Sequence, residues 1–240
     1  MKSKAKYIGI ESKIPVEVLE AAISGYLKTG QLDQEVCLKH IRQFNKGINR
    51  SGKILKHIRI LLGKNKNILL LLKQRLQDND YFFLNKSDRT IINLCLFCIT
   101  YPIAYDILSL FGQGFRVQEK IHIQVIRHKT GALYGGNRAM HIAVNEVLSF
   151  LVEMKIIQRA SLGIYRQGTK LKPAGSFVAE LVIYTDILCS ISKSILVSDL
   201  IHRPWYVYFD ELPGHSASFG ALVTRKESLP GEGYLSLKRV

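Results

Sequence analysis

The segment from Val117 to Lys172 constrains the fold more than any other part of the chain, because the spacing of its apolar residues changes along it. Residues 117–130 carry apolar residues at helical spacing and predict an amphipathic helix. After the loop GALYGG, Asn137 predicts the N-cap of a second amphipathic helix. After Lys155 the apolar residues change from helical spacing toward a spacing of two, which predicts a β-hairpin over residues 156–166 with its turn at Gly163.

The order helix, turn, helix, hairpin is typical of a winged helix-turn-helix, a module that most often binds DNA. In that fold the helix after Asn137 is the recognition helix, and its exposed N-terminal side chains reach base edges. Arginine can bind guanine and asparagine can bind adenine in the major groove. The candidate DNA-binding residues on this helix are Asn137, Arg138, His141 and Asn145. His141 is equally well explained as a partly packed neutral side chain.

The predicted hairpin, or wing, brings further cations beside this helix. They lie on the hairpin or shortly after it, and they are Arg159, Arg166, Lys170 and Lys172. We expect them to hold the phosphate backbone or to enter the minor groove.

The strongest charge bias lies earlier in the chain, between Val36 and Gln77, where the sequence contains eleven Lys or Arg and no Asp or Glu. Four of these cations recur at a spacing of three near one predicted helix and form a basic stripe: Arg50, Lys53, Lys56 and Arg59. Like charges at this spacing repel each other by a few tenths of a kcal/mol per pair, and a bound phosphate backbone would relieve that repulsion. The alternative is an ordinary solvated lysine-rich face.

Composition supports a polyanionic partner. Lys and Arg number 34 against 19 Asp and Glu, a formal net charge of +15, which favours nucleic acid or an anionic membrane surface. The four cysteines are too few and too scattered for a disulfide framework, so we expect a reducing cytoplasm. Cys95 and Cys98 have the spacing of half a zinc site, but no second pair exists, and we expect them to be small core residues.

The remaining segments predict a mainly helical protein. Residues 1–14 resemble a basic arm, and helices are expected over 15–29, 33–44, 51–63 and 67–76. The apolar run 91–111 is nearly long enough to cross a membrane. However, Asp106 would be costly in a bilayer, and Pro102 interrupts the run. We therefore expect two buried helices, over about 88–100 and 102–111, with a break at residues 112–114 (GQG).

Beyond Pro173 the pattern is less specific. Residues 177–191 suit either a helix or a strand, and residues 205–209 (WYVYF) predict a strand that pairs with strands at 217–224 and 234–237. The predicted architecture is therefore mainly α, with an N-terminal helical bundle plus a winged helix-turn-helix and a small α+β C-terminal extension. Its predicted domains are a basic helical region (1–84), the winged helix-turn-helix (85–172) and the extension (173–240).

Motifs for catalysis or nucleotide binding are weak. No GxxxxGK[ST] loop occurs in the sequence, and Gly112-Gln113-Gly114 lacks the third glycine of a dinucleotide fingerprint. Asp210, Glu211 and His215 form one acid–histidine cluster, but a metal-dependent nuclease needs a further convergent ligand. We therefore expect no enzyme activity, metal or cofactor.

Two segments carry a resemblance to a known family: LCLFCITYPIAYDILSLF (94–111) and NRAMHIAVNEVLSFLVEMKII (137–157). In pattern, residues 20–170 resemble the BrxA proteins of bacterial BREX phage-defence systems. This resemblance implies a small, helical, non-enzymatic DNA-binding protein. The sequence thus favours a cytoplasmic double-stranded DNA-binding protein that works with other proteins of a defence complex and not with a membrane. The alternatives are a protein-interaction adaptor and, third, a nuclease.

Overall fold

The computed structural model describes residues 8–77, 79–210, 220–227 and 233–238. The chain is mainly helical, with short antiparallel sheets. Its α-helices are α1 (Val16–Thr29), α2 (Gln34–Phe44), α3 (Ile48–Lys64), α4 (Lys66–Leu76), α5 (Lys86–Thr100), α6 (Pro102–Phe115), α7 (Ile123–Tyr134), α8 (Arg138–Glu153) and α9 (Ser176–Cys189).

The strands form two three-stranded antiparallel sheets. The first has the order β1–β3–β2, and the second has the order β4–β6–β5. The first sheet contains β1 (Lys120–His122), β2 (Ile157–Ser161) and β3 (Ile164–Gln167), and the second contains β4 (Ser194–Leu196), β5 (Val223–Glu227) and β6 (Gly233–Leu237).

The four N-terminal helices are confirmed, with small differences at their ends. Helix α2 begins where the Asp33 carboxylate accepts a hydrogen bond from the Val36 backbone N–H. Helix α1 ends at Gly30, whose φ of 76° is a left-handed conformation that glycine adopts without steric cost. Helix α3 starts at Ile48, before the start predicted at residue 51, and it continues one residue beyond the predicted end at residue 63.

The hydrophobic run forms two buried helices, as predicted, and they are bent by 115° at the break between α5 and α6. No single helix in the described ranges is long and apolar enough to cross a membrane. The bent pair of α5 and α6, taken together, has the length and composition of a membrane span. The predicted end near residue 112 is wrong, because α6 continues to Phe115. A Cβ on Gly112 would lie 2.2 Å from the Pro204 carbonyl oxygen, so this glycine permits close packing.

The helix predicted over 117–130 is also wrong at its start. Residues 120–122 form β1, and α7 begins only at Ile123. The apolar residue Ile121 is buried because it pairs with Tyr165 of β3, and not because it lies on a helix stripe. The His122 imidazole accepts a hydrogen bond from the Gln124 backbone N–H and caps α7.

The second helix and the hairpin match the prediction. The Asn137 side chain accepts from the Met140 backbone N–H at 3.0 Å and caps α8. Strands β2 and β3 pair through a turn in which Gly163 has a φ of 72°. Lys155, just before β2, also adopts a positive φ of 60°, which is uncommon for a residue with a side chain.

The C-terminal region differs most from its prediction. Residues 176–189 are helical, whereas the strand predicted over 205–209 is wrong: Pro204–Tyr208 forms a 3₁₀ helix. The Trp205 indole N–H donates to the Val182 carbonyl, and its ring is fully buried, so this aromatic segment anchors core packing. Strands β5 and β6 pair with each other and not with this segment. Residues 217–219 of the predicted strand lie outside the described ranges.

Two buried carboxylates on α9 tie the C-terminal region to the rest of the chain. Glu180 accepts hydrogen bonds from the backbone N–H groups of residues 220–223, at 2.7–3.3 Å. Asp186 accepts from the Tyr105 hydroxyl of α6 and from two guanidinium nitrogens of Arg203. The ring contacts His57–Tyr101 and Tyr105–Trp205, with centroids 5.7 and 5.4 Å apart, join the three predicted domains into one hydrophobic core.

Candidate nucleic-acid interface

Helix α8 presents one polar face to solvent. An α-helix turns about 100° per residue, so positions 138, 141, 145 and 149 lie on one side of it. All four are exposed, and they are Arg138, His141, Asn145 and Ser149. The opposite side, from Met140 to Leu151, packs in the core against α6, α7 and β2. The four exposed positions 138, 141, 145 and 149 thus carry no acidic side chain.

A wide groove separates this face from the wing. It has a volume of about 390 Å³ and is lined by Asn145, Leu148, Ser149, Val152, Arg159 and Tyr165. Arg159 Nη2 donates to the Tyr165 hydroxyl at 3.3 Å, and its guanidinium carbon lies 5.8 Å from the centre of the tyrosine ring. Tyr165 is buried, so it holds Arg159 at the edge of the groove.

The two predicted wing arginines point to opposite sides of the sheet. Arg159 pairs with Tyr165 in the ladder, whereas Arg166 pairs with Gln158 and with Lys120. Residues directly opposite share a face, and successive residues alternate between faces. Arg159 thus faces α8, while Arg166 lies on the outer face, where its Nε donates to Gln158 Oε1 at 3.1 Å.

Lys170 and Lys172 contact other parts of the molecule. Lys170 forms an ion pair with Asp210 at 3.5 Å and lines a cleft with Arg116 and Tyr206. The backbone of Lys172 is bound on both its N–H and its carbonyl by the Ser87 hydroxyl, at the start of α5. Neither lysine lines the groove beside Arg159.

The acidic residues of α8, the half-buried Glu146 and the exposed Glu153, lie at the edge of this face and are bound by an N-terminal segment. Glu146 accepts from the Lys13 backbone N–H at 2.8 Å, and Glu153 accepts from the Val16 backbone N–H at 2.9 Å. Glu153 also forms an ion pair with the Lys13 ammonium. These contacts hold residues 10–16, which we call the N-terminal strap, against the flank of α8 within about 60° of Ser149.

The same strap reaches the basic stripe on α3. Lys53 Nζ lies 3.0 Å from Glu11 Oε2, and Lys56 Nζ lies 3.9 Å from Glu11 Oε1. These lysines keep the pKa of the Glu11 carboxyl below its ordinary value. The expectation that the stripe has no compensating acid is therefore wrong, because an acid outside the 36–77 interval folds against it.

The stripe also winds around the helix. A spacing of three falls about 60° short of a full turn, so Arg50 and Arg59 point about half a turn apart. All four side chains are exposed, as the sequence predicted for a charged helix: Arg50, Lys53, Lys56 and Arg59. One straight phosphate backbone cannot contact all of them from a single side.

His57 connects the strap to the inner side of α3. Its Nε2 accepts from the Glu11 backbone N–H at 3.3 Å, and its Nδ1 lies 3.0 Å from the Tyr101 hydroxyl. An acceptor at Nε2 requires a neutral ring that carries its proton on Nδ1. Burial lowers the pKa of His57 to about 4; the Glu11 carboxylate opposes this shift, and the cations Lys56 and Lys53 add to it.

The alternative chemistry finds little support in the described residues. Asp210 pairs with Lys170, while Glu211 and His215 lie outside the described ranges. Cys95 and Cys98 are fully buried on an apolar helix. Within the part of the chain that the structure describes, no group of three or more His, Cys, Asp or Glu is placed to hold a metal ion.

Comparisons of the chain with protein-family models, with curated proteins and with solved structures found no match.

Proposed function

We propose that this protein binds double-stranded DNA through the exposed face of α8 and the wing. The helix would enter the major groove, with Arg138 and Asn145 reaching base edges, and Arg159 would contact the phosphate backbone. On this proposal, the order α6, β1, α7, α8, β2, β3, with the sheet order β1–β3–β2, is a winged helix-turn-helix.

One observation carries the proposal: the exposed positions 138, 141, 145 and 149 of α8 carry no acid, and the two glutamates beside them, Glu146 and Glu153, are bound by the strap. Arg138, His141 and Asn145 remain on that face, and Arg159 faces it across the groove. A surface that meets phosphates needs cations without neighbouring carboxylates. The basic stripe on α3 lies beyond the strap and would add electrostatic attraction. The resemblance to BrxA proteins would place this activity in a phage-defence complex.

A salt titration tests the proposal. The affinity for a fluorescent 25-base-pair duplex is measured at about 50 and 200 mM salt. Neutralising at least four phosphates predicts a loss of about 100-fold between these concentrations, since the logarithm of the affinity falls by roughly 0.9 per phosphate for each tenfold rise in salt. The variant Arg138→Ala/Arg159→Ala should bind more weakly and show a flatter salt dependence.

The second candidate is a protein-interaction adaptor, which the exposed apolar side chains Ile191 and Ile201 near the C-terminal sheet favour. The same titration separates the two functions. Absence of duplex binding at 50 mM salt would refute DNA binding and favour the adaptor. Equal affinity of the double variant and the wild type would refute the assignment to α8.

A further inference from the structure

Arg127 of α7 reaches the centre of the exposed face of α8. Its Nη2 donates a hydrogen bond to Asn145 Oδ1 at 2.9 Å. Its side chain is half-buried, and its Nε is enclosed by protein without a hydrogen-bond partner among the described residues. The guanidinium is thus held at its inner end, while its outer end meets Asn145. Arg127 was not among the residues that the sequence singled out.

The chemistry of this pair fixes the orientation of the Asn145 amide. A guanidinium has only donors, so the atom of Asn145 that faces Nη2 must be the oxygen and not the nitrogen. The Nδ2 group, with its two N–H donors, is then directed away from Arg127. Because Asn145 is exposed and lines the groove beside the wing, these donors are available to a ligand on that face.

We propose that Arg127 is a positioning residue, which presents Asn145 to DNA as a hydrogen-bond donor. This inference rests on the proposed function. A fixed donor favours a base edge with an acceptor in the major groove, and the N7 atoms of adenine and guanine are such acceptors. Without Arg127 the amide can turn by about 180° and present its oxygen to the amino groups of cytosine or adenine. The preference at that base pair would then weaken.

The experiment is a selection of bound duplexes from a library with a randomised central region, sequenced for each variant. The wild type should enrich a purine at one position by about 5- to 100-fold, which corresponds to the discrimination of one good base contact. Asn145→Ala and Arg127→Ala should both lose the enrichment at that position. Arg127→Lys keeps a donor for Oδ1 and should retain most of it.

Two controls separate positioning from charge and from folding. Lys129→Ala removes one exposed cation from the same helix, so it should weaken binding to all sequences without changing the preference. Asn145→Asp keeps an acceptor for Arg127 but removes the donors, so it should shift the preference from a purine toward cytosine. This variant tests the inference even if Arg127→Ala does not fold.

The inference is overturned if Arg127→Ala keeps the purine preference. It is also overturned if Arg127→Ala weakens binding to all sequences equally, as expected for Lys129→Ala. Duplex binding by the wild type without any positional preference would also overturn it, while leaving the proposed function intact. Absence of duplex binding by the wild type would refute both.

Discussion

In helices α3 and α8 the charge counted in the sequence differs from the charge on the surface, and the difference has the opposite sign in the two helices. Helix α3 lies in a stretch without acids, yet Glu11 of the strap pairs with its lysines 53 and 56. Helix α8 contains Glu146 and Glu153, yet both carboxylates bind the strap. The lysines of the more basic helix are thus partly neutralised, whereas the carboxylates of the less basic helix are bound by the strap.

The difference shows that one short segment decides where positive charge is exposed. The strap carries a carboxylate to α3 and an ammonium and backbone N–H groups to α8. Its partners on α8 lie 133 and 137 residues away in sequence. Charge counted along a helix is therefore a poor measure of the field that a ligand meets, because that field depends on contacts between distant segments.

The largest expected difference is between paired substitutions in the two regions. Arg138→Ala/Arg159→Ala should weaken duplex binding by about 30-fold or more, because two cations that contact DNA are lost. Lys53→Ala/Lys56→Ala removes the same charge but should cost less than about 5-fold, since exposed pairs with Glu11 already compensate these lysines. Fluorescence anisotropy at about 100 mM salt measures both. A larger loss for the α3 pair would reverse the comparison.

The attachment of the strap to α3 should depend on pH. The pKa of His57 is about 4 in the folded protein and about 6.5 when unfolded, so the unfolded chain takes up the proton first as the pH falls. Stability is then fully present above pH 6.5 and declines between pH 6.5 and 4. At pH 5 the loss is about 2 kcal/mol at most. Protonation would also place an Nε2 donor against the Glu11 backbone N–H.

Urea unfolding at pH 7 and pH 5 measures this loss. His57→Gln removes the titrating group but keeps a donor and an acceptor, so most of the pH difference should disappear. His40→Gln, at a half-buried position on α2, is the matched control and should leave the difference unchanged. An equal pH dependence in the His57 variant and the wild type would contradict the assigned role.

The two wing arginines provide a smaller difference within one hairpin. Arg159→Ala should weaken duplex binding by about 5- to 10-fold, because Arg159 faces the groove beside α8. Arg166→Ala should change the affinity by less than about 2-fold, because Arg166 lies on the outer face of the sheet. The same anisotropy assay applies. Equal losses would mean that DNA contacts both faces of the wing.

The smallest expected effect is an increase in duplex affinity. Glu11→Gln removes the carboxylate that pairs with Lys53 and Lys56, so duplex affinity should rise by about 2- to 3-fold, with a steeper salt dependence. Glu17→Gln removes the same charge from an exposed position on α1, and it should produce a smaller gain. A loss of affinity in Glu11→Gln would indicate that Glu11 serves to hold the strap in place.

Local signals predicted much of the fold. Asn137 marked the start of α8 and Gly163 marked the turn of the hairpin, because capping and positive φ depend on one or two residues. The helical spacing of apolar residues likewise located α1 to α5. Such features depend on neighbouring residues and not on distant contacts, so they can be predicted from the sequence alone.

Features that depend on distant contacts could not be predicted in this way. Strand β1 has the apolar spacing of a helix and becomes a strand because β3 pairs with it. The segment at Trp205 has the composition of a strand, but burial of its ring against α6 and α9 favours a 3₁₀ turn. At the candidate site, the contact of Arg127 with Asn145 joins two helices, and no pattern in the sequence predicts this contact.

The most direct test of the central claim is amide hydrogen exchange, measured with and without a saturating duplex. We expect added protection on peptides that cover α8 and the wing (138–167), weaker protection on α3, and none on the second sheet (194–196, 223–227 and 233–237). This pattern would show that the face of α8 whose neighbouring carboxylates are bound by the strap is the one that meets DNA. Protection confined to the second sheet, or to α3 without α8, would contradict the account.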